Sequence, residues 1–422
     1  MENHYLRPTK LNWLYIDINS YFATIEQQID PLLRNKPVAV VPLLSDTTCA
    51  IAASIEAKQK GIKTGTRIYE AKKLCPDLIC IVAKHELYVD YHKKIFREID
   101  KYLCVDHIFS IDEGACLLTG EYCEEERAIK LALQIKSAIK KNVGDYIRCS
   151  IGIASNRYLA KIATNMQKPD GLIVIGPNDI PNRLYGLKLA DLPGVGRSTL
   201  NRLTLSGITN IKQLYQPDAK LLKRIWGNIW GEKIWYLLRG ADLPIEIPKS
   251  STISHSQVLA PELRNPEGAR SVAFSLLLKA AQRLRARELT TSNIILIIEI
   301  AEQQSLKSRI KLESTSDSSS LATAMLKGLD ELLKTYTANT PSAARTLVIK
   351  KVIINLSNLE GKTGQLSFSD IVSDDKSSKR QLLSRSMDKL NTKYGHNTVS
   401  LGQLPKKHDK TPIVAFRYIP EG

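Results

Sequence analysis

Ser110-Ile111-Asp112-Glu113, preceded by apolar Ile108-Phe109 and followed by Gly114-Ala115-Cys116-Leu117-Leu118-Thr119-Gly120, is the stretch around which the chain is organised. Two adjacent carboxylates inside an apolar run are costly to bury unless a cation compensates them. A regular strand would send them to opposite faces, so a strand edge or bend that lets both reach one site is the more useful arrangement. A divalent metal is the usual compensation. An isolated acidic pair is more commonly solvated surface. The decision therefore rests on whether a third carboxylate and a phosphate-binding surface occur elsewhere.

The composition points the same way. At 422 residues the chain has room for two to four domains. Its 60 Lys and Arg against 43 Asp and Glu give a formal charge of +17 and a pI near 9.4. Such a balance favours a polyanionic partner, most commonly nucleic acid, with solubility or an anionic membrane surface as the alternatives. The start, Met1-Glu2-Asn3-His4, lacks a basic and then apolar leader, and no window has the 18 or more apolar residues of a membrane span. A soluble, cytoplasmic protein without membrane contact is expected. The seven cysteines, Cys49, Cys75, Cys80, Cys104, Cys116, Cys123 and Cys149, form no CxxC pair and read as reduced packing residues. The histidines are scattered without ligand spacing, which argues against zinc.

The third carboxylate lies near the start. Leu11 to Ile18 reads as a buried strand ending on Asp17, and Asn19 and Ser20 are placed to cap a helix beginning at Tyr21-Phe22. A helix N-terminus offers free N–H groups to phosphate oxygens, although an ordinary capping turn reads equally well here. Further strands are expected at 37–41, 78–82 and 147–153, and helices at 69–74, 86–102 and 124–140. Lys161 falls in a helix directly after the 147–153 strand. A lone lysine there is ordinarily a solvated helix face.

From 176 to 243 the pattern is helical, with Pro193-Gly194-Val195-Gly196-Arg197 between two helices. This looks like the helix-hairpin-helix of nucleic-acid-binding proteins, whose glycines admit a phosphate to backbone N–H groups while Arg197 adds charge. After a linker rich in proline and serine, a helix at 266–288 carries Lys279, Arg283, Arg285 and Arg287 in its later turns. Strands at 292–300 and 346–356 and a helix at 320–335 predict a small sheet with two helices. The remainder from 358 is polar, with one helix near 377–394.

Asp17, Asp112, Glu113 and Lys161 thus supply three carboxylates and a cation from separate elements. Three carboxylates can hold two Mg²⁺ ions, and two such ions suit in-line phosphoryl transfer. At these residues the chain closely resembles the Y-family translesion DNA polymerases, the family of bacterial DNA polymerases IV and V. The resemblance spans roughly 11 to 357 and rests on ordered motifs: Ile16-Asp17-Ile18-Asn19-Ser20-Tyr21-Phe22, Ser110-Ile111-Asp112-Glu113, Gly152-Ile153-Ala154-Ser155-Asn156 through Lys161, Lys168-Pro169-Asp170-Gly171 and Leu192-Pro193-Gly194-Val195-Gly196.

The resemblance implies an α+β, multidomain right-hand polymerase acting in DNA repair. Its palm would be 11–30 and 86–175, fingers 31–85, helix-hairpin-helix thumb 176–243, linker 244–251, βαββαβ-like little finger 252–357, and tail 358–422. It implies Asp17, Asp112 and Glu113 as ligands of two Mg²⁺ ions, with the Ile18 carbonyl completing one shell. Lys161 and Lys58 would hold the triphosphate of a deoxynucleotide, with Asn19, Ser20, Tyr21 and Phe22 supplying backbone donors. Phe22 matches the family's steric gate against ribose. Primer–template DNA would meet Gly194, Val195, Gly196 and Arg197 of the thumb, and Arg283 and Arg285 of the little finger. The polymerase V branch would add a recombinase filament or accessory subunits as partners.

Several positions depart from the family pattern. Ile55 and Lys58 stand where relatives place Tyr and Arg, and Lys58 loses the bidentate fork. Gly114, Ala115 and Leu117 replace the usual Ala, aromatic and Asp after the Glu. In the tail, Gln365-Leu366-Ser367-Phe368 resembles a sliding-clamp peptide but lacks a second apolar residue, since Ser369 follows; a linker is the alternative. Two rivals remain: an inactive polymerase-like scaffold binding DNA and repair partners, which the intact acidic set disfavours, and a nuclease with the same metals, which Phe22 and the thumb motif disfavour.

Overall fold

Six successive buried residues, Trp13–Ile18, form β1, the middle strand of the main sheet. An unbroken buried run needs cover on both faces, and β1 has it. Leu14, Ile16 and Ile18 join one core, and Trp13 and Tyr15 join another. The computed structural model describes residues 10–244, 251–300, 305–339, 347–361, 375–395 and 398–401. These fall into two compact units that part near residue 246.

In the first unit, β1 leads into α1 (Tyr21–Ile29). A small separate layer follows: β2 (Val38–Val41), β3 (Ala52–Ala53), α2 (Ile55–Gln59), α3 (Ile68–Leu74) and β4 (Ile79–Val82), with strand order β3-β2-β4 and its own core around Val41, Ala57, Ile62 and Ile68. Next, α4 (His85–Asp100) returns to the main sheet, burying Tyr88, His92, Ile95, Phe96 and Ile99 at helical spacing. Then come β5 (His107–Ile108), β6 (Glu113–Leu117), α5 (Glu125–Ala138), β7 (Cys149–Ala154), α6 (Arg157–Met166) and β8 (Leu172–Ile175). The sheet order is β5-β6-β1-β7-β8, antiparallel except for the β7–β8 pair. Gly152 lets α6 sit directly on β7, because a Cβ there would fall 2.0 Å from the Ala160 carbonyl oxygen.

The helical region contains α7 (Arg197–Leu205), α8 (Ile211–Leu214), α9 (Ala219–Trp226) and α10 (Ile229–Leu238). Ser155 and Asn156 fasten it to the sheet: Ser155 Oγ donates to the Gly240 carbonyl, and Asn156 Nδ2 to the Leu237 and Ala241 carbonyls. These two motif residues therefore serve structure, their side chains satisfying carbonyls that a helix end would otherwise leave unpaired.

The second unit has the expected βαββαβ order: β9 (Thr252–Val258), α11 (Pro266–Ala286), β10 (Leu289–Ile300), β11 (Ser305–Thr315), α12 (Ser318–Asn339) and β12 (Ile349–Gly361). The sheet is antiparallel in the order β11-β10-β12-β9. Ile294, Leu296, Ile298 and Ile300 alternate into a core shared with α11 and α12. A final helix, α13 (Asp375–Tyr394), lies near the end of the described chain. None of the seven cysteines is disulfide-bonded, and no helix among the described residues is long and apolar enough to cross a membrane.

Candidate active site

Register builds the acidic cluster. In the β1–β6 pair Asp17 stands opposite Glu113, so both side chains rise from the same face although 96 positions separate them. Asp112 occupies the bend just before β6, with its carbonyl accepting from the Ile18 N–H at 2.9 Å. The bend expected from the sequence is what lets the adjacent carboxylates share a site. Lys161 arrives from α6. Its Nζ lies 2.6 Å from both Asp17 Oδ2 and Glu113 Oε1. Lys168 adds a second ammonium 2.7 Å from Asp17 Oδ2.

The electrostatics are uneven. Burial works against ionisation of Asp17, but Lys161 and Lys168 overcome it and lower its pKa. Burial likewise works against the charge of Lys161, while Asp17 and Glu113 lift its pKa. Asp112 has less help: it accepts from Ser110 Oγ at 2.6 Å and feels Lys161 at longer range, but makes no ion pair among the described residues. Burial, reinforced by Glu113 and Asp17, raises its pKa. Of the three carboxylates only Asp17 and Glu113 touch an ammonium group, and the donors are all hard oxygens of the kind Mg²⁺ takes. Among the described residues no three such ligands yet close on a metal-sized point, because Lys161 stands between Asp17 and Glu113. The donor set suits divalent cations once that ammonium moves aside.

The turn after Asp17 differs from expectation. Neither Asn19 nor Ser20 caps α1 with its side chain, and Ser20 is left-handed with φ 50°. Asn19 instead ties the turn to the 168–171 loop: its Nδ2 donates to Ser150 Oγ and its Oδ1 accepts from the Asp170 N–H at 2.7 Å. The Asn19 N–H is spent on the Arg148 carbonyl, so it is not a donor for phosphate. Tyr21 is buried, its hydroxyl bonded to the Tyr88 carbonyl. Phe22 is half-buried, stacked on Tyr88 with centroids 4.5 Å apart. Lys58 on α2 feels this site: crowding by protein and then Lys168 lower its pKa, while Asp17 and Asp112 pull the other way.

Two residues at the cluster escaped the sequence reading. Lys168 belongs to the Lys168-Pro169-Asp170-Gly171 motif with no role assigned from sequence, and Tyr15 reads as part of a buried strand. Tyr15 is buried, yet its hydroxyl donates to Glu113 Oε2 at 2.9 Å. Alternation along β1 could have found it, since residue 15 shares a face with Asp17. The glycine after Glu113 is also accounted for: a Cβ on Gly114 would meet Phe96 Cε1 at 2.4 Å.

At the hairpin, Gly194 has φ 85°, Val195 is buried, and Gly194, Gly196 and Arg197 lie exposed. The second unit requires a correction. Arg285 is not set for a phosphate; its side chain is 7% exposed, with Nε and Nη2 donating to both Asp388 oxygens and Nη1 to the Ser316 carbonyl and Ser318 Oγ. Arg283 and Lys279 lie close enough to β9 for their charge to act on His255. The exposed basic row runs instead along β11, as Lys307, Arg309 and Lys311 on alternate positions. Gln365, Leu366 and Phe368 lie outside the described residues.

The similarities to known proteins agree with this geometry. Residues 16–165 match the impB/mucB/samB family, 190–242 a thumb domain described from DNA polymerase iota, and 250–368 the C-terminal domain of the impB/mucB/samB family. DNA polymerase IV of Acetivibrio thermocellus is 30% identical over 405 residues, covering 93% of this chain and 96% of its own. DNA polymerase IV 1 of Bacillus subtilis strain 168 is 28% identical over 408 residues, covering 95% of each. Among solved structures, a Y-family polymerase chimera of Dbh and Dpo4 superposes with TM-score 0.69 at 21% identity, covering 83% of this chain and all of that one. DinB from Sulfolobus solfataricus gives 0.51 at 22%, with the same coverage. With family models and relatives matched over nearly its whole length, the chain belongs to the Y family of translesion DNA polymerases.

Proposed function

We propose that Asp17, Asp112 and Glu113 bind two Mg²⁺ ions and direct addition of a deoxynucleotide to a primer 3′-hydroxyl opposite damaged template. Bound there, the ions would stabilise the attacking and leaving oxygens of an in-line displacement at the α-phosphate. The observation that carries the reading is the geometry of the cluster: Asp17 and Glu113 face each other across β1–β6 with Asp112 in the adjoining bend, and the first two already hold the ammonium groups of Lys161 and Lys168. Lys161 and Lys168 can exchange these carboxylates for triphosphate oxygens as cations arrive. Lys58 adds positive charge from α2. Phe22, backed by Tyr88, would meet the sugar and exclude a 2′-hydroxyl.

In the same reading the β5-β6-β1-β7-β8 sheet with its helices is the palm, the β3-β2-β4 layer the fingers, and the helices to 243 the thumb, whose Gly194–Arg197 hairpin takes a phosphate of primer–template DNA. The second unit is the little finger, and Lys307, Arg309 and Lys311 neutralise further phosphates. Gln365 to Phe368 would engage a sliding clamp. The test is primer extension with Mg²⁺ on undamaged and abasic templates. The wild type extends both, and Asp112→Ala extends neither; extension by Asp112→Ala at the wild-type rate refutes the assignment.

A further inference from the structure

Glu113 is more exposed than Asp17, its side chain 26% against 6%. Both of its oxygens are nevertheless engaged, by partners of different kinds. Lys161 takes Oε1 at 2.6 Å, and the Tyr15 hydroxyl takes Oε2 at 2.9 Å. The ammonium is a charge that an incoming divalent cation repels and replaces. The phenol is neutral, and nothing about a cation on the other oxygen dislodges it.

Tyr15 itself has little room to move. It lies in the central strand, 5% exposed, with its ring stacked on Phe109 at 5.5 Å and 12°. Lys161 Nζ sits 5.1 Å from the ring centroid, close enough for a cation–π contact. Across β1–β6 its partner is Ala115, where the family pattern carries an aromatic residue. The ring at this place in the sheet is therefore supplied from β1, with its hydroxyl reaching Glu113.

We propose that Tyr15 is a positioning residue for Glu113: its hydroxyl fixes Oε2, so that Glu113 offers Oε1 alone to a divalent cation. The inference rests on the metal-binding reading above. It is a hydrogen bond from outside the ligand set that orients a ligand, an arrangement whose loss typically weakens metal binding by about 10- to 100-fold.

The test measures metal binding directly. Full-length protein with primer–template and a non-hydrolysable deoxynucleoside triphosphate is titrated with Mn²⁺, and free Mn²⁺ is read by electron paramagnetic resonance. Tyr15→Phe keeps the ring and its packing. It should weaken Mn²⁺ binding about tenfold with an unchanged melting temperature, and primer extension should recover at raised metal concentration. Wild-type Mn²⁺ affinity in Tyr15→Phe overturns the inference. So does a lowered melting temperature with activity that extra metal does not restore, which would make Tyr15 a packing residue only. Asp112→Asn separates the two levels: if it too binds Mn²⁺ like the wild type, the metal-site reading has failed, whereas loss of binding there with no effect of Tyr15→Phe sinks the inference alone.

Discussion

Arg285 offers the sharpest contest between sequence and structure, because its position in a basic helix end suggests DNA while its contacts suggest architecture. Replacing it by Met removes a guanidinium whose donors reach Asp388, the Ser316 carbonyl and Ser318 Oγ. Breaking one side of a buried ion pair costs about 3–5 kcal/mol. Asp388 is 24% exposed and water can reach it, which puts the loss near the lower end, about 3 kcal/mol. All four tryptophans, Trp13, Trp226, Trp230 and Trp235, lie in the first unit, so intrinsic fluorescence follows that unit and serves as an internal control. Hydrogen exchange at α11 and α12 reads the second, where about 3 kcal/mol corresponds to roughly hundredfold faster opening. The salt dependence of DNA binding should keep its slope. Arg309→Ala should do the opposite, flattening the slope by about 0.9 with little change in exchange. If Arg285→Met flattens the salt slope by about one unit and leaves exchange untouched, Arg285 contacts DNA and the structural assignment is wrong.

Three further outcomes follow from particular contacts. His255 on β9 has an unpartnered buried Nε2, and burial, then Arg283 and Lys279, push its pKa down to about 4. It stays neutral in the folded chain while the unfolded chain binds a proton below about pH 6.5, so the second unit should lose stability as pH falls from about 6.5 to 4. The loss is about 2 kcal/mol after allowance for solvent screening. Urea unfolding at pH 7 and 4.5 measures it, and His255→Leu should reduce the pH dependence. Gly152→Ala should push α6 off β7, costing about 2–3 kcal/mol and, because α6 carries Lys161, lowering primer extension as well; an unshifted melting curve would contradict the 2.0 Å clash. Phe22→Ala should admit ribonucleotides in single-nucleotide insertion, and unchanged sugar selectivity would remove the gate assignment.

Much of the fold could be read without coordinates. Local periodicity located α4, α5, α11 and α12 to within a few residues, and the apolar run before Asp17 marked β1 as a buried strand. The strands β9 and β11 are missing from the segment-by-segment sequence reading, since exposed alternating residues such as Lys307 and Arg309 carry little apolar signal. The turn at Asn19 and Ser20 misled because side chains with capping chemistry can equally bond across the fold, as Asn19 does to Ser150 and Asp170.

By itself the sequence determined the chemistry available: three carboxylates in ordered motifs, lysines on the elements that follow, and hard oxygen donors suited to divalent cations. Only the tertiary structure decided which of these meet. The pairing of Asp17 with Glu113, the hydroxyl of Tyr15 on a carboxylate 98 positions away, the arrival of Lys168 and the capture of Arg285 by Asp388 all depend on strand register and helix packing. Residue type and spacing set what a side chain can do within a turn or two. Partners from distant segments are fixed by the packing of whole elements: a one-residue change of register in β1 or β6 would turn Tyr15, Asp17 or Glu113 to the opposite face, and Arg285 meets Asp388 only where two helices pack.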